Sequence, residues 1–148
     1  MLDSSIVAKG IGGIKSDQLI SRHKQTINSD LQKFDEVIIH IGSNDISKNI
    51  PTNKIIINVA AACQRLKEIK QGVKITFSSI FLQGYDPPKN ANVIEANQAL
   101  KRFFLTKEWD LIDHGNIAFR HLDGGGMHLT PEGNRLFANN LLAHAKSG

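Results

Sequence analysis

Cysteine, tryptophan and tyrosine occur once each in these 148 residues, and proline four times. A lone thiol, Cys63, cannot close an internal disulfide, no Cys/His grouping has zinc-site spacing, and no Asn-x-Ser/Thr sequon occurs. Nothing therefore asks for an oxidising compartment. The longest apolar stretches, at 37–41 and 60–63, fall far short of the roughly 18 residues that suggest a membrane span. The N-terminus shows no basic region followed by an apolar stretch, so no signal peptide is expected and the setting reads as cytoplasmic. Charge of one sign is also scarce. Eighteen Lys and Arg against 14 Asp and Glu leave +4, and only Arg22-His23-Lys24 forms a basic cluster. With aromatics at 6%, the concentrated basic and stacking surface of a nucleic-acid binder is not evident.

What is present is the composition of one globular domain spanning 1–148, 41% hydrophobic and 22% charged. Residues 6–8 are a β-branched run ending in the turn Gly10-Ile-Gly-Gly13, which reads as a strand and loop. From Ser16, taken as an N-cap, Leu19, Ile20, His23, Ile27 and Leu31 trace one helix face. The run 36–42 is nearly continuous in apolar residues and reads as a strand covered on both faces. A polar loop, 43–51, precedes a helix capped by Thr52, with Ile55, Ile56, Val59, Ala60, Cys63, Leu66 and Ile69 on its stripe; Gly72 stops it. Then come a strand at 73–80, a loop with Gly84 and Pro87-Pro88, a helix at 90–105, a short strand at 109–112, a loop at 113–129 and a last helix to 146. Thr130-Pro131 gives that helix a cap followed by proline at its first position. Alternating strands and helices predict an α/β/α sandwich on a parallel sheet. Chemistry in such a sheet sits outside the carboxyl ends of the strands.

Two loops there carry suggestive residues. Gly42-Ser-Asn44-Asp45 leaves the clearest strand, and an Asn at that point either donates to a developing oxyanion or, with Asp45, closes a local Asx-turn. Asp123-Gly-Gly-Gly-Met-His128-Leu-Thr-Pro-Glu-Gly sets a histidine just before a helix. His128 is either a general base oriented by Asp123 or a surface histidine.

In order and content these pieces resemble the SGNH (GDSL-type) hydrolase superfamily over nearly the whole chain. Ile-Gly-Gly13 followed by Leu19 looks like its second block, and Val-Ile-Ile-His-Ile-Gly42-Ser-Asn44-Asp45 looks like the third, Gly-x-Asn-Asp. Ser78-Ser79-Ile80, Asn97 downstream, and His128-Leu-Thr-Pro-Glu-Gly resemble the later strand and the fifth block. The overall flavour is similar to SGNH-like esterase domains of animal proteins and of some non-LTR retroelement proteins. The resemblance implies a flavodoxin-like sheet, hydrolysis of a small-acyl or lipid ester, and no cofactor or metal. It also implies His128 as base with Asp123 as its acid, and an oxyanion hole from the Gly13 N–H and the Asn44 amide.

The sequence departs from the family at two points. Gly-Asp-Ser, the block that supplies the nucleophile, does not occur. Ser4, in Leu2-Asp3-Ser4-Ser5, is the nearest candidate, but it lacks a preceding strand, and only five residues separate it from Gly10, too few for the helix that normally intervenes. The expectation is a chain that begins after the first block, lacks that strand of the sheet, and is inactive or impaired by itself. The family spacing Asp-x-x-His would put the acid at Gly125, so Gly125-Gly126 reads as an insertion that leaves Asp123 as the acid. The alternative to an esterase is a non-catalytic binding or assembly domain on the same fold, for instance one handling RNA. A nucleotide-binding reading of Gly10-Ile-Gly-Gly13 ranks last because Gly-x-Gly-x-x-Gly spacing is absent.

Among smaller signals, His114, His121 and His128 recur every seven residues, but across a glycine-rich loop that spacing fixes no common face. His40 reads as a hydrogen-bonded core histidine and Cys63 as packing. Phe81, Tyr85 and the Pro87-Pro88 loop either wall an acyl pocket or pack ordinarily.

Overall fold

The computed structural model describes residues 15–18, 31–123 and 128–147. The expected strand at 6–8, most of the helix expected after Ser16, and the candidates Ser4 and Gly13 lie outside the described residues. Three strands, β1 (Glu36–Ile39), β2 (Lys74–Ser78) and β3 (Asp110–Ile112), form a parallel sheet in that order. Val37 pairs with Ile75, and Thr76 with Asp110. Parallel neighbours need a crossover, and each has a helix. After the short α1 (Ser43–Ser47), α2 (Thr52–Ile69) joins β1 to β2; α3 (Pro87–Thr106) joins β2 to β3, and α4 (Pro131–Ser147) follows β3.

Side-chain alternation gives the sheet two unlike faces. Ile39, Ile75 and Phe77 lie in one buried cluster with Ile55, Val59, Cys63 and Leu66 of α2 and Val93, Ala96, Leu100 and Phe104 of α3. Phe77 and Phe104 meet ring to ring at 5.5 Å. Burial in this layer pushes the Cys63 thiol up to about 12, so it packs as a small apolar group. The other face carries Glu36, Lys74, Thr76 and Ser78, and α4 covers it. His144 Nε2 of α4 lies 2.7 Å from Glu36 Oε2, which also accepts the Thr76 hydroxyl at 2.6 Å. Helices on both faces of an open parallel sheet make the α/β/α sandwich.

Several boundaries differ from expectation for local reasons. Pro87 and Pro88 are not loop: they occupy the first turn of α3, where a missing N–H costs nothing. Asp86 caps that helix, accepting the Lys89 N–H at 3.1 Å. Thr52 is the first residue of α2 rather than its cap, which is Pro51. The segment at 43–51 contains α1, whose five residues are too few to show periodicity.

Candidate functional site

The turn out of β1 requires glycine twice over. Gly42 has φ +124°, and a Cβ there would stand 2.5 Å from Ile80 Cδ1. This turn delivers Ser43, Asn44 and Asp45 into α1 at the carboxyl edge of the sheet. Asn44 is half-buried there. Asp45 is fully buried, and its carboxylate accepts the Ser16 N–H at 2.9 Å and the Ser16 hydroxyl at 2.7 Å. Asn58 adds a bond to Ser16 Oγ at 3.1 Å. Asp45 therefore ties together segments 29 residues apart rather than closing an Asx-turn. The Ser16 hydroxyl, expected to cap a helix, is committed to this tie. The tie fixes Ser16 against α1.

The loop after β2 is held by side chains that mimic backbone. Asn97 brackets Ile80, accepting its N–H at 2.8 Å and donating to its carbonyl at 2.9 Å. Asn90 accepts the Gln83 N–H at 2.7 Å. Buried Gln83 then reaches α1, donating to the Ser43 carbonyl at 2.7 Å and accepting the Ser47 hydroxyl at 3.0 Å. Nothing in the hydropathy pattern marks Gln83 or Asn90; each reads as an ordinary loop or helix-surface residue.

After β3, a 3-10 turn (Phe119–His121) leads into a two-strand stem. Leu122 and Leu129 form an antiparallel bridge, the Asp123 N–H donates to the His128 carbonyl at 2.9 Å, and the Thr130 N–H donates to the His121 carbonyl at 2.8 Å. Asp123 and His128 are thus directly opposed, which sets their Cβ atoms roughly 4.5–5.5 Å apart on one side of the stem. Both are exposed. Thr130 then starts α4, its Oγ1 accepting the Gly133 N–H at 3.1 Å.

A serine–histidine contact lies at the end of β2. Ser78 Oγ stands 2.6 Å from His114 Nε2 and 2.9 Å from His40 Nδ1, and Asn140 Nδ2 is 2.9 Å from His114 Nδ1. With that amide orientation, the His114 Nε2–H donates to Ser78 Oγ. Burial lowers the His114 pKa to about 4, assisted by the neighbouring His40, against the pull of Asp113. Burial of its ring against Phe81 and Phe137 also lowers His40, against the Ser78 carbonyl. His40 is nonetheless at the surface along one edge, so it is hydrogen-bonded as expected but is not a core residue. Ser78 itself is fully buried, and the next two backbone N–H groups are committed, Ser79 to the Ile112 carbonyl at 3.0 Å and Ile80 to Asn97. A nucleophile needs access and free oxyanion donors, so this network is a structural tie. Phe81 packs into it, whereas Tyr85 is exposed and stacks on Phe119 at 4.9 Å.

Of the residues expected from the sequence, Asp123 and His128 are paired through their backbones, and Asn44 lies in the turn that leaves β1. Among the described residues, no helix is long and apolar enough to cross a membrane.

Several solved structures share this fold. A carbohydrate esterase family 3 protein from Talaromyces cellulolyticus matches with TM-score 0.76 and 16% identity, over 91% of this chain and 68% of that one. A mutant acetyl esterase with an acetate ion matches with TM-score 0.79 and 17% identity, over 94% and 70%. A catalytic mutant of an acetylxylan esterase from Geobacillus stearothermophilus matches with TM-score 0.72 and 20% identity, over 93% and 70%. No curated protein sequence matches significantly. The model of the GDSL-like lipase/acylhydrolase family matches residues 2–136, and the chain belongs to that family.

Proposed function

We propose that this chain is an SGNH-type serine esterase domain for small-acyl or lipid esters, impaired by itself because its sequence lacks the Gly-Asp-Ser block. The observation that carries the reading is the opposed Asp123–His128 pair, a base and an acid held by backbone at the carboxyl edge of a parallel sheet. In the intact architecture a serine hydroxyl attacks the acyl carbon and His128 takes its proton, oriented by Asp123. The Asn44 amide and the Gly13 N–H hold the oxyanion until the alcohol leaves, protonated by His128. Water then attacks the acyl-serine, again losing its proton to His128, and the carboxylic acid departs. The esterase neighbours support the choice of ester chemistry.

The test is fluorophosphonate labelling with mass-spectrometric mapping, on this chain and on the chain extended at its N-terminus by a Gly-Asp-Ser strand. Labelling of the new serine alone is the expected result. An adduct at Ser4 in the unextended chain overturns the impairment and makes Ser4 the nucleophile.

The absent Gly-Asp-Ser block also favours a second reading, a non-catalytic binding or assembly domain on the same fold. Salt-sensitive binding of single-stranded RNA, with no labelling after extension, supports it.

A further inference from the structure

His121 is 1% exposed, and its Nε2 is a buried polar atom with no hydrogen-bond partner among the described residues. Its Nδ1 accepts the Ala118 N–H at 2.8 Å, so Nε2 carries the proton. A buried N–H left unpaired is costly, and one group is aimed at it. Glu132 Oε1, in the first turn of α4, stands 3.9 Å away on a side chain 58% exposed. The same oxygen is 3.8 Å from exposed Arg135. The main chain of His121 is the foot of the catalytic stem. Its carbonyl accepts the Thr130 N–H, and a Cβ on Gly133 would come within 2.6 Å of that carbonyl.

From these contacts we infer that His121 and Glu132 form a latch, with the Nε2–H donating to the Glu132 carboxylate, that positions the Asp123–His128 stem against α4. His121 is a positioning residue: it touches neither proposed reacting group and acts through two backbone bonds, Thr130 N–H to its own carbonyl and Asp123 N–H to that of His128. Arg135 competes for Glu132 and weakens the latch. The inference rests on the esterase reading only for the importance of the stem; the latch itself is read without turnover.

The experiment is amide hydrogen exchange by NMR on the full chain, comparing wild type with Glu132→Asp, Glu132→Ala and Arg135→Ala. Asp keeps the negative charge at the α4 N-terminus, with its favourable helix-dipole interaction, but is one methylene too short to reach His121. Exchange of the Asp123 and Thr130 amides is expected to quicken about five-fold in both Glu132 variants, the effect of losing one ordinary hydrogen bond. β2 amides should be unchanged, and the His128 ring resonances should shift. Arg135→Ala should slow the same two amides. If Glu132→Asp exchanges like wild type, only helix charge matters and the latch is refuted; uniform acceleration across β2 refutes it as well. Should the stem respond as expected while extended chains hydrolyse nothing, the latch stands and the esterase reading fails.

Discussion

Asp123 and His128 face each other across the stem that precedes α4, joined by a backbone hydrogen bond of 2.9 Å from the Asp123 N–H to the His128 carbonyl. The pairing answers the spacing anomaly in the sequence. An acid five positions before the histidine lies opposite it in this backbone pairing, and the proposal therefore keeps Asp123 as the acid without the usual Asp-x-x-His spacing. In the extended chain, Asp123→Asn is expected to lower kcat by up to about 10⁴-fold, as in serine protease triads, with KM little changed. Steady-state kinetics on p-nitrophenyl acetate check this, and an unchanged kcat removes Asp123 from the proposed machinery.

Gly42→Ala should destabilise the fold by more than about 2 kcal/mol, because the new methyl meets Ile80 and the backbone already sits at φ +124°. Urea denaturation measures it. A loss under about 0.5 kcal/mol would mean that Ile80 and the turn relax freely.

Asp45→Ala removes a fully buried carboxylate that accepts two bonds from Ser16. The expected cost is about 2–4 kcal/mol, reflecting charge-assisted bonds lost and a buried N–H left unpaired. Asp45→Asn keeps an acceptor and should recover part of it, again by denaturant melts.

Acid should weaken the fold through His114. Its folded pKa, about 4, lies below the unfolded value near 6.5, so between those limits the unfolded chain binds a proton that the native chain refuses. Stability is therefore flat above about pH 6.5 and falls as pH drops toward 4. Thermal midpoints across that range check the sign. His114→Gln, which cannot titrate, should flatten the profile; a slope that persists unchanged assigns it to other groups.

Ser78 should resist fluorophosphonate in both the native and the extended chain, since it is fully buried and its neighbouring backbone donors are spoken for. An adduct there would convert the Ser78–His114 contact from a tie into a reactive pair.

The parts of this molecule legible in its sequence are those governed by period. The apolar stripe of α2 and the Thr130-Pro131 start of α4 are visible because burial and capping impose local residue choices. The polar ties are not. Asp45 to Ser16, Gln83 to α1 and Ser78 to His114 join residues 29 to 40 positions apart, and each looks like an ordinary surface residue until the sheet brings its partner near. His40 misleads for a related reason: it continues an apolar run, yet lies on the polar face of the sheet. The candidate site is readable as local motif at Gly42-Ser-Asn44-Asp45 and His128-Leu-Thr, whereas nothing in the sequence spacing sets Asp123 opposite His128.

The most direct test of the esterase assignment is p-nitrophenyl acetate turnover by the chain extended with a Gly-Asp-Ser strand, beside its Asn44→Ala and His128→Ala variants. The account predicts turnover well above the unextended chain, and its loss in both variants with folding intact. Turnover that survives both substitutions would contradict the assignment of base and oxyanion donor and, with it, the proposed function.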